Sequence, residues 1–228
     1  MTEMLLSKGH RLRPGGAYPK TTITIHSTAN PHSTALGERQ WLDNPANTRQ
    51  AAWHYCIDDS VVIHAIPDNE EAWHCGSSDG NRHSLSIEIC ESGNRKKAVE
   101  NAAQLTAEKA LELGISENEI VRHFDWSGKN CPRILIDKSY IKEEIDWKYF
   151  LERVKRYMAD MSDKAFGERF NAELNKRDGL SPSAWSADDR KWAEENGIII
   201  GDENGMRYKA FVTREELVSM LRRTKEMM

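Results

Sequence analysis

Two segments in which apolar and polar residues alternate strictly constrain the fold of this chain more than any other feature. They are Thr21–Ser27 (TTITIHS) and Ser84–Cys90 (SLSIEIC). Successive side chains on a β-strand point to opposite faces, so the aliphatic residues of each segment share one face and the polar residues share the other. The pattern predicts two half-buried strands, with His26 and Glu88 on their polar faces.

Other local patterns predict the elements around these two strands. Apolar runs at residues 51–57 and 61–66 flank the tripeptide Asp-Asp-Ser, which is typical of a β-hairpin. Helical periodicity predicts one long helix over residues 96–113 and another over 138–158, while residues 34–43 predict a shorter one. The chain therefore combines strands and helices in its first two thirds.

Composition excludes several classes of protein. The 228 residues are 39% hydrophobic and 30% charged, with a net charge of −4, which gives no reason to expect nucleic-acid binding. No run approaches the roughly 18 apolar residues of a membrane span, and the N-terminus carries no charged-then-apolar signal pattern. Four cysteines are too few for a disulfide scaffold in a chain of this length. We expect synthesis in the cytoplasm, with the thiols reduced.

The stretch 122–132 (RHFDWSGKNCP) combines residues that bind metals. His123 and Cys131 lie in it with seven residues between them, and the segment has the composition of a loop. Histidine and cysteine are preferred zinc ligands, and a catalytic zinc site takes three ligands from the protein. His26 could supply the third. Each residue also has a simpler interpretation, since a strand histidine is commonly a surface residue and a lone cysteine a small buried one.

Two charged residues could take part in chemistry near such a site. Glu88 lies among aliphatic residues in a strand, where glutamate is uncommon. Facing solvent it would be unremarkable, whereas facing a reacting water it could transfer protons. Lys129, two residues before Cys131, could stabilise a developing oxyanion or could be a surface lysine. The long polar segment 67–83 is typical of a binding loop.

Five segments occur in an order that carries a family resemblance. They are Thr24–Asn30 (TIHSTAN), Trp53–Asp59 (WHYCIDD), Ala72–Gly76 (AWHCG), Ser86–Cys90 (SIEIC) and His123–Pro132 (HFDWSGKNCP). The set resembles the type-2 N-acetylmuramoyl-L-alanine amidases, zinc amidases that share a fold with peptidoglycan recognition proteins. Within them it is most similar to phage and prophage endolysins of Gram-positive bacteria. The resemblance implies an α/β fold with a central mixed β-sheet flanked by helices.

The resemblance also implies roles for particular residues. His26, His123 and Cys131 would be the ligands of a Zn²⁺ ion. Glu88 would match the catalytic glutamate of the family, and Lys129 the lysine that precedes the ligand cysteine. The implied reaction is hydrolysis, by zinc-activated water, of the amide bond between N-acetylmuramic acid and L-alanine.

Further residues fall where these enzymes line the substrate groove, and one position departs from the family pattern. His54, Trp73 and His74 would contact the glycan and stem peptide. Many relatives carry a catalytic tyrosine where this chain has Trp53, which cannot exchange a proton. The proton-transfer role therefore falls on Glu88, and Tyr55 is a weaker alternative on the same strand.

The implied biological setting is lysis of the bacterial cell wall. A protein without a signal peptide would wait in the cytoplasm and reach peptidoglycan once the membrane is permeabilised. Two alternatives stay open at this point. One is a cytosolic amidase that recycles wall fragments, and the other is a non-catalytic peptidoglycan-binding protein of the same fold.

The composition changes in the last third of the chain, which predicts a second domain. We divide the chain into a catalytic domain over 1–160, a linker over 161–182 and a small, mostly helical domain over 183–228. Within the last of these, Trp192–Asp202 and Val212–Leu221 resemble a single S-layer-homology-type unit. Such a unit could bind cell wall, or it could serve homodimerisation.

Overall fold

A computed structural model gives the fold of most of the chain in two compact units, Met1–Met161 and Ser162–Met228. The residues that it describes are 1–178, 180–201, 205–206, 208–209, 212 and 214–226. No helix among them has the length and apolar character needed to cross a membrane.

A six-stranded sheet forms the centre of the first unit. Its strands are β1 (Thr2–Glu3), β2 (Thr22–Ser27), β3 (Tyr55–Ile57), β4 (Val62–His64), β5 (Ser84–Ile89) and β6 (Ile120–Arg122). Their order across the sheet is β1-β4-β3-β5-β2-β6. Only the β3–β4 hairpin is antiparallel, and the other neighbours run parallel. The sheet is thus mixed, and the predicted fold class is confirmed.

The two alternating segments become adjacent strands inside the sheet. β2 and β5 pair along their whole length, with His26 opposite Glu88. The prediction that they are half-buried is wrong, because Ile25, Thr24 and His26 are all buried although they point to different faces. A largely parallel sheet is covered on both faces, so its central strands have no solvent side.

Helices and the N-terminal segment supply that cover. The helices are α1 (Ala35–Asp43), α2 (Ser78–His83), α3 (Arg95–Leu113), α4 (His123–Ser127), α5 (Arg133–Ile136), α6 (Trp147–Asp178), α7 (Ala187–Glu195) and α8 (Arg214–Glu226). On one face α3 packs a row of alanines against the aliphatic side of β5. On the other, Leu6, Leu12 and Leu42 form a second core cluster with Trp53. The site described below lies at the edge of this second face.

The structure differs from the sequence prediction in one segment predicted as a loop and in the start of one helix, each for a local reason. The stretch 122–132 is not all loop, because residues 123–127 form helix α4, which Gly128 ends with a φ of +72°. α6 begins at Trp147 rather than at residue 138. Asp146 sets this start, since its Oδ1 accepts a hydrogen bond of 2.8 Å from Tyr149 N, as a helix N-cap does.

The second unit is helical where the structure describes it. α6 continues to Asp178 through most of the segment predicted as a linker, and α7 and α8 follow. Ala193 and Ile198 are buried there, whereas Trp185 and Trp192 are exposed. The turn of the predicted S-layer-homology-type unit falls on residues 202–204, which lie outside the described residues. That assignment stays a prediction.

Candidate active site

Parallel strands bring the predicted site residues to one edge of the sheet. His26 lies one residue before the end of β2, Glu88 one before the end of β5, and His123 directly after β6. These three strands are parallel neighbours, so their carboxyl ends meet at the same edge. Ligands of α/β proteins bind in crevices at such edges.

A cleft of about 730 Å³ opens at this edge. Its walls come from the loop after β2, from α1, and from the segments before β3 and α2. The residues that line it are Ser27–Asn30, His32–Thr34, Gly37, Glu38, Trp41, Arg49, Ala51–Trp53, Trp73, His74, Glu88, His123 and Lys129. Of the eight predicted site residues, the cleft wall therefore includes Glu88, Lys129, His123, Trp73 and His74.

Three side chains converge beside the cleft: those of His26, His123 and Cys131. His26 precedes His123 by 97 positions in the chain and Cys131 by 105. His26 Nδ1 lies 3.0 Å from His123 Nδ1 and 3.8 Å from Cys131 Sγ. The ligand atoms of all three lie within 4.8 Å of one another, and all three residues are buried. No other such cluster of potential ligands occurs in the part of the chain that the structure describes.

The chemistry of this donor set fits a zinc ion. Burial holds the pKa of His26 well below its ordinary value, and burial together with Lys129 lowers the pKa of His123 to about 4. Both imidazoles are therefore neutral at pH 7, which is the form that binds metals. Two imidazole nitrogens and one thiol match a zinc site with a remaining open position.

Cys131 reaches the cluster because the chain reverses after α4. Gly128 adopts a left-handed conformation, and Phe124 N then donates to Cys131 O at 2.9 Å. Ser27 N lies 3.4 Å from the Cys131 sulfur, which ties the thiol to the end of β2. Burial, followed by the charge of Glu88, raises the pKa of the thiol to about 12. A metal cation that binds here must therefore displace the thiol proton.

Glu88 has an unusual environment for a carboxylate. It is half-buried in the cleft, and its Oε2 atom is buried without a hydrogen-bond partner. Burial, and then the charge of Glu38, raises the pKa of Glu88 to about 8, while Lys129 acts in the opposite direction. Buried polar atoms are normally paired, and exceptions are common at functional sites. The arrangement suits a group that exchanges protons near neutral pH.

The structure contradicts the predicted role of His54. This residue is fully buried, with Nδ1 2.9 Å from Ser86 Oγ and Nε2 2.9 Å from the Glu70 carbonyl. Burial lowers its pKa to about 3. His54 connects the Ser86 side chain of β5 with the Glu70 carbonyl and is not among the residues that line the cleft. The resemblance assigned His54 by its position in the sequence, and position alone does not show that a side chain is buried.

Three residues that line the cleft, Trp41, Glu38 and Trp53, are not among the site residues predicted from the sequence. Trp41 and Glu38 line the cleft from α1, where the helical pattern gave no sign of a binding role. Trp53, which departs from the family pattern, also lines the cleft, although it is largely buried in the second core cluster. The alternative offered by Tyr55 is wrong, because its hydroxyl donates to Asp68 at 2.6 Å in the other core.

Comparison with known proteins agrees with this geometry. Residues 16–134 match the Amidase_2 family, described as N-acetylmuramoyl-L-alanine amidase. The chain is 42% identical over 135 residues to the N-acetylmuramoyl-L-alanine amidase CwlH of Bacillus subtilis, covering 55% of this chain and 52% of that protein. It is 41% identical over 138 residues to the amidase XlyA of the same organism, covering 57% and 45%. The match thus spans about half the length of these curated relatives.

The chain matches solved structures of the family over nearly their whole length. The catalytic domain of XlyA superposes with a TM-score of 0.60 at 34% identity, covering 68% of this chain and 99% of that domain. The structure of PlyL gives a TM-score of 0.58 at 28% identity, covering 67% and 94%. With the family match extending over more than half of its residues, the chain belongs to the type-2 N-acetylmuramoyl-L-alanine amidase family.

Proposed function

We propose that this protein hydrolyses the amide bond between the lactyl group of N-acetylmuramic acid and L-alanine in peptidoglycan. Family membership supports the reaction class. The observation that carries the proposal is the convergence of three potential metal ligands beside a cleft whose wall includes His123 and Glu88, a carboxylate with one unpartnered oxygen. Amide hydrolysis needs an activated water and a proton donor for the leaving nitrogen, and this cleft offers groups for both.

The proposed cofactor is Zn²⁺, held by His26, His123 and Cys131. When bound, zinc supplies Lewis-acid chemistry, drawing electron density from the oxygen atoms that it contacts. The three side chains offer two nitrogens and one sulfur as ligand atoms. Both imidazoles are neutral at pH 7, so neither has to lose a proton before it binds the metal. The relatives CwlH and XlyA are named as amidases, which agrees with a hydrolytic role for the same fold.

Glu88 is the proposed general base and acid. It accepts a proton from the attacking water as the water oxygen bonds to the carbonyl carbon. It then returns the proton to the nitrogen as the carbon–nitrogen bond breaks, which leaves a carboxylic acid on the lactyl group and a free amine on L-alanine. The acid then loses its remaining proton to solvent. A pKa near 8 in the metal-free cleft keeps both protonation states of Glu88 accessible.

Lys129 is the proposed electrostatic partner. It lines the cleft beside His123, and its positive charge acts on both Glu88 and the histidines. A cation at this position stabilises negative charge on the former carbonyl oxygen. Its ammonium is exposed, so its contribution is smaller than that of a fully buried cation.

The cleft wall suits a substrate that has both sugar and peptide parts. Trp41 and Trp73, which are partly exposed, present aromatic surface, which favours contact with apolar faces, including those of sugars. Arg49 and Glu38 add one charge of each sign at the wall. We propose that Trp73 contributes to substrate binding and that peptidoglycan is the macromolecular partner.

The proposed biological role is that of an endolysin, which acts on the wall after the membrane is permeabilised. A non-catalytic wall-binding protein would have no need for the complete set of ligands with Glu88. A recycling enzyme for soluble fragments would have no need for a wall-binding unit, which is one proposed role of the second unit. Its other proposed role, homodimerisation, is tested by sedimentation of the full chain.

The decisive experiment is mass spectrometry of digested peptidoglycan. We expect intact stem peptides that begin with a free L-alanine amine. The Glu88→Ala variant should lose activity on the order of 10²-fold while it retains zinc, whereas Glu108→Ala, on the exposed side of α3, serves as the control. Release of reducing sugars without free L-alanine amines would identify a different bond and would refute the proposal.

A further inference from the structure

The two nitrogens of the His26 ring face different partners. Nδ1 points to His123 and Cys131, at 3.0 Å and 3.8 Å, and Nε2 lies 3.0 Å from His74 Nδ1. The rings of His26 and His74 meet edge to face, with centroids 5.1 Å apart and an interplanar angle of 89°. His26 therefore lies between the other two candidate ligands, His123 and Cys131, and His74.

We propose that His74 is a positioning residue that fixes the tautomer and ring orientation of His26 for metal binding. The inference rests on the proposed function, because it assumes that His26 is a ligand. It departs from the sequence-based prediction that His74 contacts substrate.

A histidine nitrogen binds a metal through its lone pair, so that nitrogen must be free of hydrogen. If His26 binds a metal through Nδ1, that atom carries no hydrogen, and the hydrogen of the neutral ring is on Nε2. An Nε2–H group in a buried site needs an acceptor, and His74 Nδ1 is the one within 3.0 Å. Partners of this kind fix the orientation of metal-bound histidines and raise ligand basicity.

The position of His74 is itself fixed by its surroundings. The side-chain oxygen of Asn81 accepts hydrogen bonds from the backbone nitrogens of His74 and Cys75, at 3.0 Å and 3.1 Å. When Nδ1 accepts, the hydrogen of the neutral His74 ring is on Nε2, which is buried without a hydrogen-bond partner. The two contacts with Asn81 thus fix the backbone that carries this ring.

The same contacts argue against direct binding of substrate by His74. Its Nδ1 atom is engaged by His26, and its Nε2 atom is buried without a hydrogen-bond partner. Although the residue lines the cleft, one ring nitrogen is occupied and the other is covered, so neither is exposed to a substrate group there. Its neighbour Trp73 offers ring surface to the cleft without such a constraint.

The test compares zinc affinity in variants of the full chain. His74→Leu removes the acceptor and should weaken zinc binding about 10- to 100-fold in competition with a chelator. His74→Asn keeps an oxygen near the position of Nδ1 and should recover most of the affinity. His74→Gln places its amide beyond that position and replaces the leucine variant if that one does not fold. His83→Leu, which removes a histidine whose Nδ1 contacts the Pro19 carbonyl, is the matched control.

A second readout is independent of zinc and of activity. In metal-free protein labelled with ¹⁵N-histidine, NMR should show His26 as the Nε2–H tautomer in the wild type and in His74→Asn. His74→Leu should show a mixture of both tautomers. Unfolding in urea establishes that each variant is folded before it is compared.

The possible results distinguish the role of His74 from the assignment of the metal ligands. A folded His74→Leu variant with unchanged zinc affinity and an unchanged His26 tautomer would overturn the inference and leave the proposed function intact. Equal losses in the leucine and asparagine variants would also overturn it, since they would indicate a packing role. A wild-type protein that binds no zinc would refute the metal assignment itself, and with it the inference.

Discussion

Arg133 holds the carboxylate of Glu91 with two nitrogens, Nη2 at 2.6 Å from Oε2 and Nε at 3.0 Å and 3.1 Å from the two oxygens. Glu91 Oε1 also accepts a hydrogen bond of 3.0 Å from Ala29 N. The Glu91 side chain is only 2% exposed. This carboxylate joins three segments that surround the site: the loop after β2, the end of β5 and the turn that follows Cys131.

We expect Glu91→Gln to destabilise the protein by about 2 kcal/mol, because it weakens the charged hydrogen bonds to Arg133, whose side chain is 18% exposed. Zinc affinity should fall as well, since the turn that carries Cys131 loses this anchor. Urea unfolding and chelator competition measure the two effects. The exposed pair Lys148–Glu152 provides the control, because Glu152→Gln should cost less than about 1 kcal/mol. A Glu91→Gln variant as stable as the wild type would show that the pair does not anchor the turn.

A second buried network lies in the other core and predicts a pH dependence. Tyr55 donates to Asp68 Oδ1 at 2.6 Å, His64 Nε2 lies 3.3 Å from the same oxygen, and Lys109 Nζ lies 3.2 Å from Oδ2. Burial opposes ionisation of Asp68, but these partners together hold its pKa well below the ordinary value. Lys109 also contacts Glu112, at 2.7 Å.

Asp68→Asn should therefore destabilise the protein at pH 7 by about 2 kcal/mol, the typical contribution of hydrogen bonds to a charged group. A depressed pKa gives stability that is present above the unfolded value of about 4 and is lost as the pH falls below it. The difference between wild type and variant should narrow on acidification from pH 5 to pH 3. Urea unfolding at several pH values measures it. A gap of constant size would show that ionised Asp68 is not its source.

Part of the site can be predicted from the sequence, because the alternation of apolar and polar residues identifies the strands that bear His26 and Glu88. Alternation predicts that His26 and Glu88 lie on polar faces, and the family resemblance, rather than spacing, implies that His123 and Cys131 are ligands. The pairing of β2 with β5 is a long-range contact, so periodicity alone does not reveal that His26 lies opposite Glu88. Burial on both faces of the sheet is likewise a property of the assembled layers. The placement of His54 at the groove came from the resemblance, which carries no information about this burial.

The second unit gives a prediction about wall binding. Met161 packs against the core of the first unit, so a chain that ends after Asp163 keeps this contact. We expect the truncated protein to cleave soluble muropeptide as the full chain does, and to pellet less with purified cell walls. Unchanged pelleting together with a loss of dimers in sedimentation would favour homodimerisation as the role of the second unit.

Glu88 gives the last prediction, which concerns stability rather than catalysis. Its Oε2 atom is buried without a partner, and its pKa of about 8 lies above the unfolded value of about 4.3. A raised carboxyl pKa means that the folded state binds the proton more tightly. The cost of ionising Glu88 therefore grows as the pH rises through this window and is complete above pH 8.

We expect the metal-free Glu88→Gln variant to be more stable than metal-free wild type at pH 8, by about 1–3 kcal/mol. The gain should shrink as the pH falls and should vanish near pH 4, where the wild-type carboxyl is protonated in both states. Urea unfolding of both proteins measures it, with the exposed Glu108→Gln as a control that should show no gain. If wild type and Glu88→Gln were equally stable at pH 8, the ionised carboxylate of Glu88 would not destabilise the folded protein.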